Sequence, residues 1–265
     1  MLYCKRALFI VLIICSAGTA GCARFTLFTT AQEIEIGEQV QQEVEANNKL
    51  LGDLKVSGYV SDVGNKVASQ AHRQDVTYTF KVIDSPNEIN AFALPGGSIY
   101  IYTGLLKQMK TESELAAVLA HEAAHIAHRD SMAALSREVG AGILLQVLLG
   151  GEPSAWQDLL GKVASNLTFL KFSRDDERRA DRAGVDYMVK AGYDPQGMVN
   201  LLTLFTQLSE KQPSSMEVFL STHPGPQERI GLTQNYIQES GLKGGAVNQK
   251  EYEEVKRAIP AGTPK

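Results

Sequence analysis

Apolar positions recur at helical spacing through most of the chain and alternate only briefly. Residues 31–50 set Ile34, Ile36, Val40 and Val44 among Glu and Gln, which predicts a polar helix with a narrow apolar stripe. Residues 55–71 carry Val56, Tyr59, Val60, Val63 and Val67, a second helical face. Val76 to Ile83 is β-branched and aromatic and predicts a strand. Asn90–Leu94 and Ser98–Tyr102 read as two more strands around Pro95-Gly96-Gly97. Thr111 with Glu114 forms a capping-box pattern, and a long helix is expected from there to about Ser136. Trp156 to about Gly192 reads as helix, either continuous or as two helices meeting near Phe172. Further helices are expected from Tyr193-Asp194-Pro195 to Ser209 and over residues 225–239. The polar residues 241–265, ending Pro-Ala-Gly-Thr-Pro-Lys, are expected to form a loose tail. The apolar run Val139–Leu149 is too short to span a bilayer, and reads as a core helix or as a lid or membrane-dipping segment.

The N-terminus has a different pattern. Lys5 and Arg6 precede the apolar run Ala7–Cys15, and small residues lead to Cys22. That order is a signal-peptide order. The small residues before Cys22 resemble a bacterial lipobox, with Thr19 where Leu is preferred. The expected organisation is a lipoprotein signal over 1–21, a lipid-anchored linker over 22–30 that starts at acylated Cys22, and one domain over 31–240. A plain secretory signal or an N-terminal anchor is the alternative. Cys4 and Cys15 would leave with the signal, so Cys22 would have no disulfide partner.

The chain has 265 residues, 44% hydrophobic and 21% charged, enough for a sizeable core without staples. Its formal charge of −4 argues against nucleic-acid binding, which needs a basic face.

The candidate chemistry begins at His121-Glu122-Ala123-Ala124-His125, an HExxH motif inside the capped helix. Four residues advance a helix by roughly 6 Å and 400°, so both imidazoles share one face and can reach one ion. Glu122 lies beside them, placed as general base for an attacking water whose pKa zinc lowers to about 7. Two surface histidines with a salt-bridging Glu are the alternative. The metzincin pattern needs Gly at 128 and His at 131; His128 and Ser131 exclude it. The third ligand must then come from a second helix. Over residues 172–184, Glu177, Ala180, Asp181 and Gly184 share one face. The small residues let helices approach, Glu177 can ligate, and Asp181 can accept from a ligating histidine. The competing reading is a solvated, charge-rich helix. Asp175 and Asp176 point elsewhere by helical phase and read as solvated.

HEAAH, then Ser173-Arg174-Asp175-Asp176-Glu177-Arg178-Arg179-Ala180-Asp181, then Ser221-Thr222-His223-Pro224 with Arg229 resembles the HtpX/CAAX-protease-type zinc metallopeptidases, a gluzincin family. Asn90–Gly97, Tyr100 and Thr103–Leu106 extend the resemblance to roughly residues 31–240. The soluble periplasmic members, BepA-like and Oma-type, are closest in layout.

The resemblance implies an α+β fold, predominantly helical, with a three- to four-stranded sheet over the active-site helix. It implies one zinc held by His121, His125 and Glu177, with Glu122 as base and Asp181 behind a histidine. His223 would act as a fourth ligand that keeps the enzyme latent, or else His223 or Arg229 would stabilise the oxyanion of the tetrahedral intermediate. A loop histidine and a surface arginine are the plainer alternatives. Asn90, Ala91, Phe92 and Ala93 would be the edge strand that receives substrate, against an ordinary hairpin. Endopeptidase activity on extended or misfolded polypeptides follows, in the cell envelope on the periplasmic side. The lipid would hold the chain to the membrane, and Ala23 favours the outer one. The alternative is a largely latent chaperone acting with the envelope assembly machinery.

Overall fold

The computed structural model describes residues 28–137 and 171–259. Cys22 and Val139–Leu149 lie outside those residues. The N-terminal helix α1 (Thr30–Asn47) starts from a closed capping box between Thr29 and Gln32 and buries Ile36, Val40 and Val44. In α2 (Leu54–Ala68), the Asp53 carboxylate accepts from the N–H groups of Lys55 and Val56. Its buried residues, Val56, Val60, Val63 and Val67, follow the expected apolar face.

Three strands form a mixed sheet in the order β1 (Thr79–Ile83), β3 (Ser98–Tyr102), β2 (Ala91–Ala93). β3 is central, parallel to β1 and antiparallel to β2. The β2–β3 reversal uses a 3₁₀ turn, Pro95–Gly97, in which Gly96 has a φ of +80°, a conformation side chains disfavour. α1 crosses close above this turn: a Cβ on Gly37 would stand 1.9 Å from the Pro95 carbonyl oxygen.

A short helix α3 (Thr103–Gln108) leads to α4 (Glu112–Ala127), every residue of which is buried. A helix apolar on most faces must be enclosed. α4 packs on α2 and β2 on one side and on α5 (Arg174–Lys190) and α6 (Gln196–Lys211) on the other. Leu115, Leu119, Val60, Ile99 and Met188 meet in this core. Each such side chain contributes roughly 1.5–3 kcal/mol on burial. The expected capping box is only half formed. Thr111 accepts from Glu114 N–H, but the Glu114 carboxylate reaches past the cap to Lys110 N–H at 2.7 Å.

The expected helix to Ser136 breaks early. α4 ends at Ala127 with His128 as its C-cap, Arg129 has a φ of +58°, and helix resumes over 130–137. A left-handed non-glycine residue costs roughly 1–2 kcal/mol. Arg129 offsets that through its guanidinium, which donates to Glu33 and to the Phe28 carbonyl.

After α6 come α7 (Pro213–Thr222), absent from the sequence expectation, and α8 (Pro226–Glu239). The loose tail expected after 240 is corrected through residue 259. Helix α9 (Gln249–Lys256) returns to the core with Tyr252, Val255 and Ile259 buried. The Tyr252 hydroxyl donates to the Leu106 carbonyl at 2.6 Å. No helix among the described residues is long and apolar enough to cross a membrane.

Candidate metal centre

α4 and α5 cross where small residues permit it. A Cβ on Gly184 would come within 3.3 Å of His121 N and 2.9 Å of Met198 Cε. This close approach sets Glu177 of α5 against both histidines of α4. His121 Nε2 and His125 Nε2 are 3.1 Å apart, and Glu177 Oε1 is 3.2 Å from His125 Nε2. Glu177 Oε2 lies 3.6 Å from His121 Nε2. His223, at the end of α7, joins them with Nδ1 3.1 Å from Glu177 Oε1. One ligand atom from each of the four lies within 4.8 Å of every other, and all four residues are buried.

Two nitrogens or oxygens bound tetrahedrally to zinc at about 2.0–2.1 Å stand about 3.4 Å apart, so this spacing fits such an ion. The donor types fit as well. Both Glu122 carboxylate oxygens and His223 Nε2 are buried here without a protein hydrogen-bond partner. Buried polar atoms of that kind normally serve a ligand or a reaction.

Both histidines of the motif are fixed from behind. His121 Nδ1 is 3.0 Å from Asp181 Oδ1, and His125 Nδ1 is 3.0 Å from Asp130 Oδ2. Donation of Nδ1–H to a carboxylate leaves Nε2 free for a cation. Burial pulls the His121 pKa down despite Asp181. Burial acts the same way on His125, but Asp130 and Glu177 prevail and hold it up to about 10. Burial raises the Glu177 carboxyl, yet Arg229, His223 and His125 hold it well below the ordinary range. Asp181 is likewise lowered, against burial, by Arg229 and His121.

A zinc-type donor set with an HExxH base is shared by several peptidase families; the chain-wide pattern decides among them. Residues 55–236 match the family described as Peptidase family M48. The chain belongs to that family of metallopeptidases. It is 29% identical over 213 residues to the beta-barrel assembly-enhancing protease of Yersinia pestis, covering 77% of this chain and 43% of that one. It is 34% identical over 191 residues to the mitochondrial metalloendopeptidase OMA1 of Schizosaccharomyces pombe, covering 70% and 54%. Metalloprotease LoiP of Escherichia coli K12 is 25% identical over 232 residues, covering 86% and 89%. The chain thus spans under half the length of the assembly-enhancing proteases it matches.

Within this M48 domain, the structure brings together His121, Glu122, His125, Glu177, Asp181, His223 and Arg229. Arg229 is buried, which excludes the surface pair. Its Nε donates to Asp181 at 2.6 Å, and Nη1 donates to Glu177. It therefore holds the Glu177 and Asp181 carboxylates in place. Asp176 departs from the expectation of a solvated side chain. It is fully buried, closes the capping box with Ser173 and accepts from Arg179, whereas Asp175 is exposed.

The expected edge strand is present as Ala91, Phe92 and Ala93, with Asn90 just before it. Asn90 O accepts from Tyr102 N, and Leu94 N donates to Ser98 O, so the main chain of residues 90, 92 and 94 faces β3. The main-chain groups of Ala91 and Ala93 point outward, but Ala93 O already accepts from Ser131 Oγ.

Three residues at the site escaped the sequence reading. Asp130 follows His125 by five residues, a spacing that shares no face on an unbroken helix. Phe172 stacks on the His125 ring, and Phe219 stacks on His223 with centroids 4.7 Å apart. Their aromatic character was the one available signal. His72 is exposed and bonds Tyr187; neither it nor His128 joins the metal cluster.

Proposed function

We propose that this M48 domain is a zinc-dependent endopeptidase of the bacterial cell envelope that cleaves extended or misfolded polypeptides. The observation that carries the reading is the convergence of His121, His125 and Glu177 beside an unpartnered Glu122 carboxylate. When bound, zinc supplies Lewis-acid polarisation of the scissile carbonyl and acidifies water to a pKa of about 7. Glu122 accepts a proton from the attacking water as its oxygen bonds to the carbonyl carbon. The same carboxyl returns a proton to the amide nitrogen as the C–N bond breaks. Such acid–base work contributes roughly 10²–10⁴ in rate. Arg229 and Asp181 keep Glu177 and His121 aligned through these steps. The position of β2 at the sheet edge supports an added substrate strand, with affinity from the main chain; Ala91, Phe92 and Ala93 are buried and Ala93 O is taken by Ser131, so such a strand would have to displace what now covers them.

The envelope location is supported by the signal-like N-terminus with Cys22 and by the similarity to beta-barrel assembly-enhancing proteases. Lipid on Cys22 would tether the domain to the periplasmic face, with Ala23 favouring the outer membrane. The test pairs metal content with turnover. Glu122→Gln is expected to retain stoichiometric zinc and lose at least a hundredfold in cleavage of an unfolded protein; turnover near that of the wild type would refute the assignment.

A second reading has its own observation. His223 belongs to the buried four-residue cluster, and four protein ligands leave no place for the reacting water. The domain would then act mainly as a latent chaperone for envelope proteins. His223→Ala is expected to raise cleavage if that latency holds, and client capture by Glu122→Gln would persist.

A further inference from the structure

α1 lies before the region that matches the M48 family, yet one of its side chains is tied to the end of the HExxH helix. Glu33 is a charged residue only 1% exposed. Its carboxylate accepts from both terminal nitrogens of Arg73, at 2.9 and 3.0 Å, and from Arg129 Nε at 2.7 Å. Arg73 then donates to the Ile126 carbonyl, one residue beyond His125. Arg129 donates to the Phe28 carbonyl just ahead of α1.

Those two arginines grip the turn that makes the second histidine's support possible. On a continuous helix, residue 130 would stand about 140° around the axis from residue 125. The left-handed Arg129 breaks the helix and brings the Asp130 carboxylate to His125 Nδ1 at 3.0 Å. From the other side, Arg179 Nη2 donates to Asp130 Oδ1 at 2.9 Å. Glu33 is thus two side chains away from a metal ligand.

We infer that Glu33 is a positioning residue for the metal centre, acting through Arg129 and Asp130 on His125, and that α1 is an integral part of the catalytic domain. The inference rests on the zinc reading above. Partners behind a ligating histidine are worth 10–100-fold in metal affinity. Loss of the Glu33 clamp frees the 128–130 turn, lets Asp130 leave His125, and weakens the ion without touching any ligand.

The test measures zinc affinity of the full chain by competition with a chromogenic chelator, and the visible spectrum of the cobalt(II)-substituted protein. The variants are Glu33→Gln, Arg129→Gly and Asp130→Ala. Glycine adopts the left-handed backbone freely, so Arg129→Gly removes the tether and leaves the turn's conformation available. Tyr252→Phe loses a buried hydrogen bond far from the site and controls for general loss of stability. The expected result is about tenfold weaker zinc binding and an altered cobalt spectrum in all three variants, and neither change in the control. Wild-type affinity and spectrum in Glu33→Gln and Arg129→Gly, with Asp130→Ala impaired, would overturn the role of α1 alone. A wild-type chain that takes up neither metal would overturn the metal reading itself.

Discussion

Phe172 lies flat against the His125 imidazole, with 3.9 Å between ring centroids and 11° between the planes. The ring is 3% exposed, and the Phe172 N–H donates to the Thr222 carbonyl, next to His223. A single aromatic side chain therefore fixes the face of one cluster histidine while its backbone anchors the segment that carries another, His223. The edges of His125 are held as well, by Asp130 at Nδ1 and by the ligand cluster at Nε2.

Phe172→Ala should cost about 3 kcal/mol in urea denaturation, since a buried ring leaves a cavity that its neighbours only partly fill. Phe172→Leu should lose less stability, because more of the volume is kept. Equal losses in the two variants would mean that the site collapses freely around the vacated space.

Arg229 offsets two buried carboxylates, Glu177 and Asp181. Arg229→Met leaves both without that cation, and removal of one partner of a buried ion pair costs about 3–5 kcal/mol. Bound zinc, on the proposed reading, would supply a compensating charge beside Glu177. The variant should therefore be much less stable than wild type in chelator and closer to it in excess zinc. Thermal melts in the two conditions check this; an identical deficit in both would exclude the compensation.

If the cluster holds zinc as proposed, zinc binding only the native state would also stabilise the wild type. At a hundredfold over Kd the gain is about 2.7 kcal/mol, or about 5–10 °C for a domain of this size. Glu177→Gln, which removes the ligand charge, should show a smaller rise. A wild-type midpoint that ignores both zinc and chelator would contradict the ligand set.

Burial raises the Glu114 carboxyl above its ordinary value of 4.5, against the opposing hydrogen bond from Lys110 N–H. A raised carboxyl favours the neutral form in the native state. Its contribution is complete below the ordinary value and is lost as pH rises through the native one. Glu114→Gln is neutral throughout and can still accept from Lys110. Its stability relative to wild type should therefore improve between pH 4 and pH 7. Parallel melting curves across that range would refute the sign.

The elements that announced themselves in the sequence were those stabilised locally. Val56, Val60, Val63 and Val67 repeat at helical spacing, so α2 was readable, and the Thr111 cap marked the start of α4. The HExxH spacing and the small, acidic face of α5 were enough to name His121, Glu122, His125, Glu177 and Asp181 as one site, because a helix converts spacing into facing. Helix α9 was hidden because its apolar positions are few and its stability comes from docking Tyr252 into a core built elsewhere. The break at Arg129 was hidden for a related reason. Its left-handed backbone is maintained by Glu33, 96 residues away along the chain. Periodicity reports what neighbours along the backbone require. It carries no information about a carboxylate that arrives from another helix, and that arrival decides where Asp130, and with it His125, comes to rest.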